Sequence, residues 1–170
     1  EEDPGSLSHA GGSIDTADSE ANADAILDVR AGTYDHGGAV TLAAGQSVIV
    51  EGPFAGDAAD ASLRGDEAVI RDTIEATNND VTIDGVSVLA DAGPGVDVQT
   101  TGTVNINNTA ITNVSDDGTA VNGVDIDTDS SVTLSSSFIG DHDDGTPVST
   151  GVFADSDGAD LTIDAATTLD

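Results

Sequence analysis

Cysteine, lysine and tryptophan are absent from these 170 residues, and only Tyr34, Phe54, Phe138 and Phe153 are aromatic. Without cysteine no disulfide contributes to stability, so backbone ladders and packed aliphatic side chains must supply it. Cations are nearly missing too: Arg30, Arg64 and Arg71 stand against 27 aspartates and six glutamates, for a formal charge of −30. A surface of that sign cannot displace counterions from a polyanion, which excludes nucleic acid as an ordinary partner. No run of 18 apolar residues is present to span a membrane. The opening Glu1-Glu2-Asp3-Pro4 has neither the basic nor the apolar stretch of a secretory signal, so any encoded leader is expected to have been removed.

High net charge with few aromatics is also the composition of a disordered acidic tract. Periodicity argues against that reading. Gly95-Val96-Asp97-Val98, Gly123-Val124-Asp125-Ile126 and Gly151-Val152-Phe153-Ala154 recur every 28 residues, the mark of a stacked repeat. Between them fall Val81-Thr82-Ile83-Asp84, Val104-Asn105-Ile106-Asn107, Val132-Thr133-Leu134-Ser135 and Leu161-Thr162-Ile163-Asp164. Each alternates apolar with polar, so every second side chain enters a core. A disordered tract has no reason to keep such segments in register. The fold expected is all-β: a right-handed parallel β-helix of about five coils, each of roughly 28 residues and three short strands. The aspartate-rich, lysine-free balance resembles that of extreme halophiles, whose carboxylate shells stay hydrated in brine. Self-repulsion would destabilise such a chain in dilute buffer, and molar salt screens it.

Along the chain, residues 1–12 read as a flexible acidic arm and 13–170 as the β-helix, expected to continue beyond 170 because the last coil has no covering segment. Ile14, Ala17 and Ala21, with Ser13 as N-cap, predict a short capping helix within 13–24. Ile26 to Val29, Val40 to Leu42 and Ser47 to Val50 read as strands, with Ala31 to Tyr34 as a turn. Glu51 to Asp66 reads as a protruding loop, and the rod resumes at Val69. Phe138 and Phe153 occupy strand positions expected to face or border the core.

Ile26-Leu27-Asp28-Val29-Arg30-Ala31-Gly32-Thr33-Tyr34 resembles the I-x-V-x-x-G-T-Y opening of pectin-lyase-like right-handed parallel β-helices. The segments 50–56, 64–70 and 79–85 are similar to β-helix domains of large prokaryotic surface proteins. The resemblance implies a fold that also houses pectate lyases, polygalacturonases and pectin methylesterases. A lyase of that kind uses Arg or Lys beside an aspartate-bound calcium, and the hydrolases use clustered aspartates with Gly-His-Gly and Arg-x-Lys elements. This chain has neither hydrolase element, and Arg64 and Arg71 fall where pairing with neighbouring carboxylates is expected. Asp116-Asp117-Gly118 reads as a turn. With so few aromatics, a stacking platform for sugars is not expected either, and Phe54 is the one loop aromatic placed to make contacts.

Hard cations require several oxygen ligands from carboxylates and carbonyls. Asp125, Asp127 and Asp129, together with Asp155, Asp157 and Asp160, are the candidate calcium ligands, since stacking would bring both sets to similar edges of successive coils. Asp141, Asp143 and Asp144 form a third cluster, with His142 among them. None matches the twelve-residue calcium loop or the glycine-rich nonapeptide repeat, and a diffuse cation atmosphere is the plainer expectation. Asn107-Asn108-Thr109 and Asn113-Val114-Ser115 are glycosylation sequons.

Together these features point to a non-catalytic structural or adhesive module of a secreted or cell-surface protein adapted to high salt. The expected partners are other surface proteins or extracellular polysaccharide, with end-to-end self-association through an open coil end. No cofactor is required beyond high monovalent salt, with calcium as the candidate ion. The alternatives are a fragment of a polysaccharide lyase or hydrolase and a calcium-dependent adhesion module.

Overall fold

Residues 6–7, 26–29, 32–34, 39–42, 47–50, 68–90, 93–113, 122–141 and 150–169 are described by a computed structural model. Among them there is no helix, hence none long and apolar enough to cross a membrane. Alternation every second residue puts one face of each segment in the dry interior, and the chain turns after three to five residues to begin the next strand. From Ile26 onward it visits three sheets in rotation, and every pairing among the described strands is parallel, so the fold is a parallel β-helix. The first sheet stacks Ser6–Leu7, Ile26–Val29, Ser47–Val50, Val81–Asp84, Thr103–Asn107, Ser131–Ser135 and Asp160–Ile163. The second stacks Gly32–Tyr34, Ala68–Ile70, Ser87–Ala90, Ala110–Asn113, Phe138–Asp141 and Thr168–Leu169. The third stacks Val40–Leu42, Ile74–Ala76, Val96–Val98, Asn122–Ile126 and Thr150–Ala154.

In-register stacking turns the sequence repeats into rows. On the first sheet Val81, Val104, Val132 and Leu161 form one inward row, and Ile83, Ile106, Leu134 and Ile163 the next. Ile70, Val88, Ile111 and Ile139 line the second sheet. Val40, Ile74, Val96 and Val124, with Leu42, Ala76, Val98 and Ile126, line the third. Nearly all of these are fully buried and form one continuous core, each worth about 1.5–3 kcal/mol if it is of Val, Ile or Leu size. Ile163 is 39% and Leu169 47% exposed.

The corner between the first and second sheets is also a stack. Gly85, Asn108 and Ser136 follow equivalent strand ends and all have positive φ, at 76°, 47° and 48°. Only glycine adopts that conformation freely, so Asn108 and Ser136 need compensation. Asn108 Nδ2 donates to Asp84 Oδ1 (2.9 Å) and its backbone N–H to the Ser135 carbonyl (3.0 Å). The Ser136 N–H donates to Asp164 Oδ1 (3.1 Å). One position on, buried Thr109 and Ser137 bond back to the backbone: Thr109 Oγ1 to the Asn107 carbonyl (2.8 Å), Ser137 Oγ to that of Ser135 (2.9 Å).

The 28-residue glycine repeat has a steric cause. Gly95, Gly123 and Gly151 begin third-sheet segments, where the second-sheet isoleucines tuck against the backbone. A Cβ on Gly95 would overlap Ile111 Cγ2 and stand 2.9 Å from the Gly123 carbonyl oxygen. A Cβ on Gly123 would overlap Ile139 Cγ2 and stand 2.6 Å from the Gly151 carbonyl oxygen. At Gly151 the nearest neighbours are 3.6–3.9 Å away, an ordinary contact.

Two expectations are corrected. Gly32–Tyr34 is a strand of the second sheet, paired with Ala68–Ile70, because the coil needs a third wall there. Phe153 faces outward and is 43% exposed: it is in register with Asp125, whereas its neighbour Val152 continues the inward row of Val124. Phe138 is buried, 5% exposed. The capping helix within 13–24 and the loop 51–66 lie outside the described residues.

Gly123→Ala is expected to cost about 1–3 kcal/mol by overpacking, and Gly151→Ala to stay within about 1 kcal/mol of the parent. Denaturant unfolding midpoints at fixed molar salt check both. Equal losses at the two positions would contradict the steric account.

Candidate functional site

The outer face of the third sheet gathers the most unusual chemistry among the described residues. Register places Thr41, Glu75, Asp97, Asp125 and Phe153 in one outward row. Parallel strands lie about 4.8 Å apart, and like charges directly opposite one another repel. At that spacing the repulsion is about 1 kcal/mol per pair in a water-like medium and several-fold more where water is partly excluded. Two residues further along, the ladder continues: the Gln99 N–H donates to the Ala76 carbonyl (3.0 Å), that of Asp127 to Val98 (3.1 Å), and that of Asp155 to Ile126 (3.0 Å).

Neutral donors serve one oxygen of each carboxylate in the row. Thr41 Oγ1 donates to Glu75 Oε2 (2.9 Å), Gln99 Nε2 to Asp97 Oδ2 (2.6 Å), and Asn122 Nδ2 to Asp125 Oδ2 (3.0 Å). Oδ1 of Asp97 and Oδ1 of Asp125 are shielded from solvent and have no hydrogen-bond partner. Burial pushes the Asp97 carboxyl above its ordinary range. The Gln99 hydrogen bond opposes this, and the negative charges of Asp127, Glu75 and Asp125 add to it.

The opposite case is Asp164, at the first-to-second-sheet corner. Its Oδ1 accepts from the Ser136 N–H (3.1 Å), the Ala166 N–H (3.1 Å) and Thr167 Oγ1 (2.8 Å). Donation to the charged form, led by the Ser136 N–H, holds this carboxyl below its ordinary range.

The six candidate calcium ligands do not form one group. Asp125 lies in the outward row, and Asp127 and Asp155 follow it on successive coils. Asp129 accepts the Ser156 hydroxyl and abuts Gly158, where a Cβ would strike its carboxylate. Asp157 lies in an exposed turn, and Asp160 opens a first-sheet strand by donating its N–H to the Ser130 carbonyl (2.8 Å). Among the described residues no three His, Asp or Glu side chains converge as a metal-holding group. In the first sequon, Asn107 Oδ1 accepts from Ser135 Oγ (2.6 Å) and Thr109 is fully buried, so both residues are engaged in the corner. The side chains of Asn113 and Asp141, and residues Phe54, Arg64, Asp116, Asp117, His142, Asp143 and Asp144, lie outside the described residues.

Sequence reasoning passed over Glu75, Asp97 and Gln99. The signal was present, since Asp97 and Asp125 hold the same place in the Gly-Val-Asp repeat, but their lateral approach needs the register to be known. No family model, curated protein or solved structure matches the chain.

Asp164→Ala is expected to be less stable than the parent at neutral pH. The lowered carboxyl contributes stability above the ordinary aspartate value near 3.8, and that contribution is lost as pH falls through the folded value. The gap between variant and parent should therefore close on the acid side. Thermal unfolding from neutral to strongly acidic pH checks it, and a gap independent of pH would contradict the assignment.

Proposed function

We propose that this chain is a non-catalytic structural or adhesive β-helix module of a secreted or cell-surface protein adapted to high salt. On this reading its work is to hold a short stiff rod in brine and present rows of side chains to other surface proteins or to extracellular polysaccharide. What supports the reading most is the outward row Glu75, Asp97 and Asp125, stacked like with like and served by hydroxyl and amide donors, in a chain of net charge −30.

The magnitudes favour salt as the missing partner. At about 0.1 M the screening length is about 10 Å, spanning two rungs, so each carboxylate feels several others. At about 1 M it falls to about 3 Å, less than one rung of about 4.8 Å. Phe153, exposed beside this row, offers one apolar contact point.

The melting temperature, followed by circular dichroism, is expected to rise smoothly from about 0.1 to 4 M NaCl or KCl and to ignore millimolar calcium or EDTA. Insensitivity to monovalent salt would contradict the proposal. A step at millimolar calcium, reversed by EDTA, would replace it with a calcium-dependent adhesion module.

A further inference from the structure

Asn122 is the one asparagine of the chain that a glycine follows. That pairing has a chemistry of its own. The backbone nitrogen of the following residue can attack the asparagine side-chain carbonyl carbon, and a glycine there has no side chain to shield it. The core dictates this glycine: a Cβ at Gly123 would overlap Ile139 Cγ2 and stand 2.6 Å from the Gly151 carbonyl oxygen. The steric demand that fixes residue 123 therefore also makes Asn122 the side-chain amide most open to such attack.

Stacking holds Asn122 in an unreactive geometry. It opens the strand Asn122–Ile126 in register with Thr150, and its carbonyl oxygen accepts the Gly95 N–H (3.2 Å). Its Nδ2, the group that the attack would expel, donates to Asp125 Oδ2 (3.0 Å). Closing a five-membered ring needs the Asn122 Cβ to swing towards the Gly123 nitrogen, which takes ψ out of the extended range a strand enforces.

We propose that Asn122–Gly123 is a self-modification site that coil stacking holds off. When the strand opens, the Gly123 nitrogen loses its proton to solvent and bonds to Asn122 Cγ, and Nδ2 leaves as ammonia, giving a cyclic imide. Water then adds to either imide carbonyl and breaks its bond to nitrogen, leaving an aspartyl or an isoaspartyl linkage. The net change is amide and water to carboxylate and ammonia, with nothing oxidised or reduced. Either product removes the donor from Asp125 and sets a further carboxylate beside the row of Glu75, Asp97 and Asp125. The isoaspartyl form also adds a methylene to the main chain between the contacts with Gly95 and Thr150, where in-register pairing has no place for it. A rod that has opened is thus marked irreversibly and does not restack as before.

Peptide mass spectrometry of the full chain tests this, after incubation in mildly alkaline buffer at molar salt with and without unfolding guanidinium chloride. In the unfolded chain Asn122 is expected to be the first asparagine converted. In the folded chain its conversion should be slower by about tenfold or more, because the reaction waits on a local opening. A protease that cuts before aspartate separates the products, since it cleaves at the aspartyl form and passes over the isoaspartyl one. Once denaturant is removed, the unconverted fraction should regain the parent melting profile and the converted fraction should not. Asn122→Gln, which would have to close a six-membered ring, should come through the same treatment unconverted and with its own melting profile unchanged. Equal Asn122 rates in folded and unfolded parent would overturn the proposal, as would another asparagine converting first or a converted fraction that melts like the parent. Treated Asn122→Gln that loses its profile to the same extent would place the damage elsewhere and overturn it too. The parent chain alone decides the first three of these outcomes, so the test does not depend on the variant folding.

Discussion

Everything in this molecule follows from one constraint: parallel strands stacked in register, each residue set about 4.8 Å from its equivalent in the next coil. Where the sequence repeats, the same chemistry recurs on successive rungs, as at Val104 and Val132 or Asp97 and Asp125. Inside, that repetition is favourable, because Val104 on Val132 and Ile111 on Ile139 make continuous dry rows that cover one another. It also explains the narrow choice of core residues. Three walls enclose a slim interior that Val, Ile, Leu and Ala fill, and the glycine row at 95 and 123 exists because the isoleucines of the neighbouring wall already occupy the Cβ space.

Outside, the same repetition works against stability. Like polar groups are forced into neighbouring positions, and the chain answers in two ways. Where donors are plentiful, as at Asp164 with two backbone N–H groups and a hydroxyl on one oxygen, a carboxylate is a good corner-builder and its charge is held easily. Where each carboxylate has one amide donor and an acidic neighbour, as at Asp97, the charge is held at a cost. Two aspartates in one fold are thus driven in opposite directions, Asp97 upward chiefly by burial and Asp164 downward chiefly by its hydrogen-bond donors.

Much of this architecture was legible in advance. Period-2 alternation at Val81–Asp84, Thr103–Asn107, Ser131–Ser135 and Asp160–Ile163 identified a single sheet, and the Gly-Val-Asp repeat identified another. Gly32–Tyr34 was missed because its glycine and threonine read as turn chemistry, and only its pairing with Ala68–Ile70 makes it a wall. Phe153 misled for a related reason: hydrophobicity suggested the core, while alternation from Val152 sends it outward. The carboxylate row was the hardest to see. Sequence locates Asp97 and Asp125 along the chain, but their proximity, the dry Oδ1 atoms and the donors from Gln99 and Asn122 exist only once the coils are stacked.

The most direct test of that stacking is a distance measured along one outward row. Thr82, Asn105, Thr133 and Thr162 are successive partners across the first sheet. Because the chain has no cysteine, Thr82→Cys with Thr162→Cys gives a unique pair of spin-labelling sites. Electron paramagnetic resonance at molar salt should report a narrow distribution consistent with three rungs, about 14 Å of backbone separation plus the reach of the labels. A broad distribution centred several tens of ångströms out would contradict in-register stacking, and with it the account of core, corners and carboxylate row alike.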